Sequence, residues 1–268
     1  MIEAKGLPPY IRSKDSYARR CWGQVVALAP LVIAGCVTGH AQILRVLLLS
    51  LVSAVAFEYL GAKFFKTREN LRNGEVVLNA VLFALLIPAR CPSELVILGM
   101  FLGVIAGKIF WGGTGAYSLH PVLLARVALQ TFFPKEIGAP GLFSGAGDPW
   151  TLGAVALGGL ILLKQKQGYW EVPFLFIAVC FFCEMAGAGR EVSNVFLSGV
   201  LFTAFFLLAD PVPMPVTRRG TSLFVLGAAL LSCGISRNGF SIAAAAVAIL
   251  LMDLVVPWID LGLRSPKH

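Results

Sequence analysis

Apolar residues run along this chain in long blocks, at 22–38, 43–62, 75–90, 94–111, 119–134, 152–164, 170–188, 193–209, 221–236 and 240–259. Most of them approach the ~20 residues that a helix needs to cross the hydrocarbon of a bilayer. The pattern predicts an all-α, polytopic membrane protein with about ten transmembrane helices. The fifth block is interrupted by Arg126 and the sixth is short, so these two are expected to tilt, to re-enter or to extend through neighbouring glycines. Composition agrees: of 268 residues, 57% are hydrophobic and 13% charged, about half the charged share of a soluble domain. A cytosolic enzyme, a collagenous chain and a disordered tail are excluded.

The polar connections carry their charge unevenly. Fifteen of the 22 Lys and Arg fall in alternate connections, namely the N-terminal arm, the stretch holding Lys63, Lys66, Arg68 and Arg72, the pairs Lys164/Lys166 and Arg218/Arg219, and the C-terminal tail. The opposite set holds Arg45, Arg90, Lys135, Arg190 and Arg237. The positive-inside rule then places both termini in the cytoplasm, and an even number of spans returns the chain to its starting side. The net charge of +8 therefore reads as topology rather than as affinity for nucleic acid, and no nucleic-acid partner is expected. The arm has no apolar core before Trp22 and does not look like a cleaved signal. The six cysteines lie mostly in apolar runs and read as small hydrophobes, with the Cys180-x-x-Cys183 pair expected in core packing.

Residues 75–83 (EVVLNAVLF) laid over 194–202 (NVFLSGVLF), an offset of 119, give five identities in nine, and the same offset carries Pro92 onto Pro211. Repetition at that offset divides the chain into two halves of five spans, and an odd number of spans per half turns the second upside down relative to the first. The expected organisation is a cytoplasmic arm at 1–21, a first five-helix repeat at 22–134, an outer-side loop at 135–151, a second five-helix repeat at 152–260 and a cytoplasmic tail at 261–268. Inverted repeats place their working site near the pseudo-two-fold axis, where helices are broken by Gly or Pro.

Two broken stretches stand out. Residues 112–121 (GGTGAYSLHP) combine glycines that allow close backbone approach with Thr, Tyr, Ser and His as hydrogen-bonding groups; the stretch reads equally as a tight turn followed by a proline in the first turn of a helix. Residues 210–220 (DPVPMPVTRRG) hold three alternate prolines that forbid a regular helix. There Asp210 suits either a cap or a hydrogen-bond network beside a ligand.

Ionisable residues within or at the edges of spans are Glu58, Glu75, Lys108, Arg126, Glu184, Asp210 and Asp253, each costly in hydrocarbon unless paired or wet. Glu58, Lys108 and Glu184 lie near span ends and are expected to snorkel. Arg126 and Asp253 lie deeper and are the candidates for an ion path. No nucleophile elbow, phosphate-binding loop or dinucleotide fingerprint is present, so catalysis by this chain alone is not expected, and no metal site is predicted.

The chain resembles a known family, the RnfD-type membrane component of Rnf-type ferredoxin:NAD oxidoreductase complexes, which is similar to the NqrB component of the sodium-pumping NADH:quinone reductase. Residues 111–121 (WGGTGAYSLHP) resemble the family's G-G-x-G-x-x-x-x-N-P, with His120 at the Asn position, and residues 209–217 (ADPVPMPVT) resemble its T-D-P-V-T-S-P-V-T. Asn73-Gly74 before the apolar run ending in Pro88 resembles the family's third span. The likeness implies ten spans with an inverted repeat, electrons passing through flavins, and sodium ions or protons crossing the membrane. Family members usually attach FMN to a Thr in an S-G-A-T motif; here residues 144–147 read SGAG, and Gly147 offers no hydroxyl to esterify. Thr151 is nearby but lacks the motif's flanks, so covalent FMN is not expected.

The resulting expectation is a multi-pass subunit of an Rnf-like complex in a bacterial or archaeal cytoplasmic (inner) membrane, partnered by lipid and by other membrane and peripheral subunits. It is expected to hold FMN or riboflavin noncovalently through Gly112, Gly113, Thr114, Gly115, His120, Asp210 and Thr217, with Arg126 and Asp253 on an ion path. A small-solute transporter or channel, and a structural subunit without cofactor, are the competing classes.

Overall fold

The computed structural model describes residues 17–39, 41–65, 73–138, 149–165, 170–186, 194–208, 214–236 and 240–263. Among them every regular element is helical: α1 (Tyr17–Gly39), α2 (Ala41–Phe65), α3 (Glu75–Leu86), α4 (Ser93–Phe101), α5 (Pro121–Phe132), α6 (Pro134–Ile137), α7 (Pro149–Lys164), α8 (Glu171–Ala186), α9 (Asn194–Phe202), α10 (Arg218–Ile235) and α11 (Ile242–Leu263). Helix occupies each of the ten predicted blocks, and the protein is an all-α polytopic membrane protein. Four helical stretches, Tyr17–Val37, Gln42–Phe65, Ser93–Trp111 and Ile242–Leu263, are long and apolar enough to cross a membrane unaided. The sixth block gains its first turn from Pro149, a residue suited to open a helix. The four-residue α6 falls where a loop was expected; Pro134 opens it in the same way.

Two helices change pitch before they end. A π-helical turn, Leu102–Ala106, continues α4 and leads through Gly107 and Lys108 into a 3-10 turn, Ile109–Trp111, while a second π turn, Thr203–Leu207, continues α9. Such turns break the regular ladder and are common near functional sites. The first lies on a stripe of small residues. A methyl group at Gly99 would meet Phe83 and Leu129, one at Gly103 would lie 3.2 Å from the Pro121 carbonyl, and one at Gly107 would lie 2.9 Å from the Pro121 α-carbon. Leu129, Ala125 and Pro121 are one turn apart on α5, so glycines at every fourth position let α4 and α5 approach along their length.

The core is built from Phe83, Phe176, Phe202, Phe206, Phe224 and the leucines and alanines around them. Outside it, Val26, Ile33 and Val37 on α1, Val52 and Leu60 on α2, and Leu254, Trp258 and Leu261 on α11 face outward. An apolar surface of that extent belongs against lipid or another subunit. α1 packs on α7, α2 on α3 and α4, and α10 on α8 and α11. Gly158 sits at the first of these contacts, where a methyl group would press on the Ala27 carbonyl and the Phe206 ring. Gly158→Leu is expected to destabilise by about 1–3 kcal/mol through overpacking, and Gly234→Leu, with open space around its α-carbon, is expected to be close to neutral. Thermal unfolding of the two variants in detergent checks the difference.

Candidate functional site

Burial forces the charges inside this bundle to find one another. Glu58 lies two turns before the end of α2, Glu75 opens α3, and Lys108 follows the π turn of α4. The Lys108 ammonium stands 2.7 Å from Glu58 Oε1 and 3.2 Å from Glu75 Oε2, and all three side chains are buried. This corrects the expectation that Glu58 and Lys108 snorkel. Both are near span ends in sequence, yet neither reaches the surface, because an ammonium between two carboxylates offsets part of the cost of burying charges that could not be buried alone. Glu184 is likewise buried on α8.

The glycine-rich segment after α4 lies over this cluster. Gly112, Gly113 and Gly115 take positive φ angles of 109°, 94° and 84°, a backbone region in which a side chain is strained. Those angles turn the chain so that the Thr114 hydroxyl donates to Glu75 Oε2 at 2.7 Å, while the Gly113 amide donates to the Lys108 carbonyl at 3.2 Å. The Tyr117 hydroxyl is 3.1 Å from that of Tyr17 on α1. At the end of the segment the His120 amide donates to Asp253 Oδ2 of α11 at 3.0 Å, and Pro121 opens α5. The stretch is a turn leading to an N-terminal proline, and its Thr114 hydroxyl and His120 amide reach buried acids.

The second broken stretch is tied to the same helix. The Val216 amide donates to Asp260 Oδ1 at 3.1 Å, and Thr217 caps α10 by accepting from the Gly220 amide at 3.0 Å. Asp253 and Asp260 are seven residues apart, two turns or about 10 Å along one face of α11. Thus the two motifs, about a hundred residues apart in sequence, are suspended from carboxylates on one helix. Asp260 escaped the sequence reading because it lies near the chain's end; its spacing from Asp253 was the available signal. Asp210 and Gly147 fall outside the described residues. Thr151 is buried in the first turn of α7.

Arg126 lies towards the other end of the bundle. Its Nε donates to the Leu86 carbonyl at 3.1 Å, one terminal nitrogen to Gln130 Oε1 at 2.9 Å and the other to the Ile137 carbonyl at 3.4 Å. It thereby serves carbonyls that the C-terminal turns of α3 and α6 leave without helical partners. Arg45 acts alike on the Cys91 carbonyl, at 2.8 Å. Cys180 is buried and Cys183 and Cys233 are half-buried, on the packed helices α8 and α10. Among the described residues no group of three or more His, Cys, Asp and Glu is arranged to hold a metal.

Nothing lies within 4 Å of a methyl group placed on Gly113 or Gly115, and the neighbouring rings of Phe110 and Trp111 are exposed, in edge-to-face contact at 6.3 Å. Thr114 and the His120 amide fasten the segment to Glu75 and Asp253. Replacing Asp253 with Ala strands the His120 amide and is expected to cost about 1–3 kcal/mol, whereas Asp253→Asn keeps an acceptor and costs less; thermal unfolding paired with amide exchange at His120 checks this.

The family profile described as "NQR2, RnfD, RnfE family" matches residues 6–151 and 137–267. The two stretches overlap across the expected outer-side loop. Among curated relatives, the D subunit of the proton-translocating ferredoxin:NAD(+) oxidoreductase complex of Clostridium ljungdahlii is 25% identical, over 94% of this chain and 92% of its own. The D subunit of an ion-translocating oxidoreductase complex of Methanosarcina acetivorans is 28% identical, over 95% and 93%. Its counterpart in the Na(+)-translocating ferredoxin:NAD(+) oxidoreductase complex of Acetobacterium woodii is 25% identical, over 94% and 91%.

Proposed function

The chain belongs to the NQR2, RnfD, RnfE family, and on that premise we propose that it is a membrane subunit of an Rnf-like ion-translocating oxidoreductase complex. Its relatives carry that role in their names, as proton-, ion- and Na(+)-translocating complexes. In this reading the subunit sits in a bacterial or archaeal cytoplasmic membrane with both termini inside, its two halves form inverted repeats, and other membrane and peripheral subunits cover part of its apolar surface. The charge asymmetry of the connections supports the orientation.

The observation that carries the reading is the suspension of both family motifs from Asp253 and Asp260 of α11, above or beside buried acids. In this reading noncovalent FMN or riboflavin rests on the segment of Gly112, Gly113 and Gly115, of which Gly112 and Gly115 are exposed. Thr114, His120 and Thr217 set the two loops, and Asp210 opens the second in sequence. A flavin supplies one- and two-electron chemistry when bound; the protein supplies the surface and the nearby charges. Were a flavin held there, negative charge on it would favour a cation at the acids Glu58 and Glu75, which is the proposed basis of coupling. Asp253 and Arg126, on adjoining helices, are the intramembrane charges placed on the ion path.

Gly113→Val and Gly115→Val in the intact complex are expected to lose flavin while this subunit still assembles. The wild-type subunit's band on a denaturing gel is expected to be dark under ultraviolet light, with flavin released by acid precipitation. Unchanged flavin content in both variants, or a fluorescent band abolished by Thr151→Ala, would contradict the assignment.

A further inference from the structure

The cluster beneath the glycine segment has two carboxylates for one ammonium. Among the described residues Glu58 Oε2 and Glu75 Oε1 are buried without a hydrogen-bond partner, although Glu58 Oε1 and Glu75 Oε2 both face Lys108. Both acceptors approach one nitrogen, so the two carboxylates lie within about 6 Å of each other in a setting that screens like charges poorly. One carboxylate is matched by the lysine; the other is left with excess negative charge and an open oxygen.

We propose that Glu58 and Glu75, held around Lys108, form a buried acceptor that takes up and releases one proton. The proposal deepens the ion-translocation reading and rests on it only for how the acceptor is used. A proton suits the site better than a metal ion. The ammonium already occupies the space between the carboxylates, and among the described residues no third acidic, thiol or imidazole ligand joins them. The step is balanced: a proton from water bonds to the open oxygen of either glutamate, changing the cluster's charge from minus one to zero, and loss of the proton to water restores it. The contact towards the surface is Thr114, half-buried on the glycine segment and hydrogen-bonded to Glu75.

Few other titratable groups surround the cluster. On α2, Tyr59 and Lys63 are exposed. Packed against α2 and α3, α1 brings Tyr17, Arg19, Arg20 and Cys21 on its first turns, Tyr17 being joined to Tyr117 of the glycine segment. From α4 comes Glu94 in its first turn, at the opposite end of that helix from Lys108. α5 brings His120, whose amide is taken by Asp253, and Arg126, which is spent on carbonyls. Lys108 is the cation placed directly on the two glutamates.

The test is infrared spectroscopy of the purified native complex in lipid while pH is stepped, following the C=O stretch of protonated carboxyl groups. Wild type is compared with Glu58→Gln, Glu75→Gln and Lys108→Met, and retention of radioactive sodium is measured in parallel. The expected result is a carboxyl band gained on acidification in wild type and missing from each glutamine variant, which already has a neutral cluster. In Lys108→Met the band is expected at higher pH than in wild type, because two carboxylates then face each other alone. The two glutamine variants are independent, so failure of one to assemble leaves the other decisive. A band that persists in the glutamine variants overturns the proposal, as does sodium retention that depends on Glu58 and Glu75 without a carboxyl band. Electron flow without ion movement in vesicles, with the band present, defeats the translocation reading and leaves the acceptor standing; ion movement with a band indifferent to both glutamates does the reverse.

Discussion

An ammonium wedged between two carboxylates inside an apolar bundle is the interaction on which the surrounding arrangement depends. Lys108 reaches Glu58 on α2 and Glu75 on α3 from the turn that ends the third long hydrophobic stretch. Each charge would be costly in hydrocarbon, so each helix must be placed where it can meet the others. The π turn and the glycine stripe at Gly99, Gly103 and Gly107 bring α4 close to α5 and deliver Lys108 to the acids. The site is therefore positioned by helix packing, with the loop added over it.

The glycine segment is fastened at defined points. Thr114 ties it to Glu75, Tyr117 to Tyr17 and His120 to Asp253. Together with the Val216–Asp260 contact, these bonds gather acids and family motifs at one end of the bundle, while Arg45 and Arg126 hold carbonyls towards the other. Acids bind amides and an ammonium at one end; at the other, Arg126 binds carbonyls that end α3 and α6, and Arg45 binds the Cys91 carbonyl between α3 and α4. A change of charge at the glycine segment thus has short routes to buried acids.

Helix positions were legible in the sequence because apolar length alone decides them in lipid; the short α6 and the pitch changes were not, since they depend on where Pro134 and the glycines meet neighbours. The buried acids were visible as costly residues, but their partners were not. Lys108 is 50 residues from Glu58, and His120 is 133 residues from Asp253, and no local spacing encodes either pairing. Position near a span end favoured snorkelling for Glu58 and Lys108, and tertiary pairing overrode it. The stripe of glycines at four-residue spacing was the overlooked signal, since it marked the helix that approaches α5 closely enough to bury a lysine.

The central claim is that Lys108 and the two glutamates stabilise one another as a unit. The most direct measurement is thermal unfolding of the protein in its complex for Lys108→Met, for the Glu58→Gln/Glu75→Gln pair and for all three changes together. Removing the lysine alone is expected to cost about 3–5 kcal/mol, the usual effect of leaving a buried charge without its partner. The triple variant, neutral throughout, is expected to recover most of that loss. Losses that simply add, or a lysine variant as stable as wild type, would contradict the account.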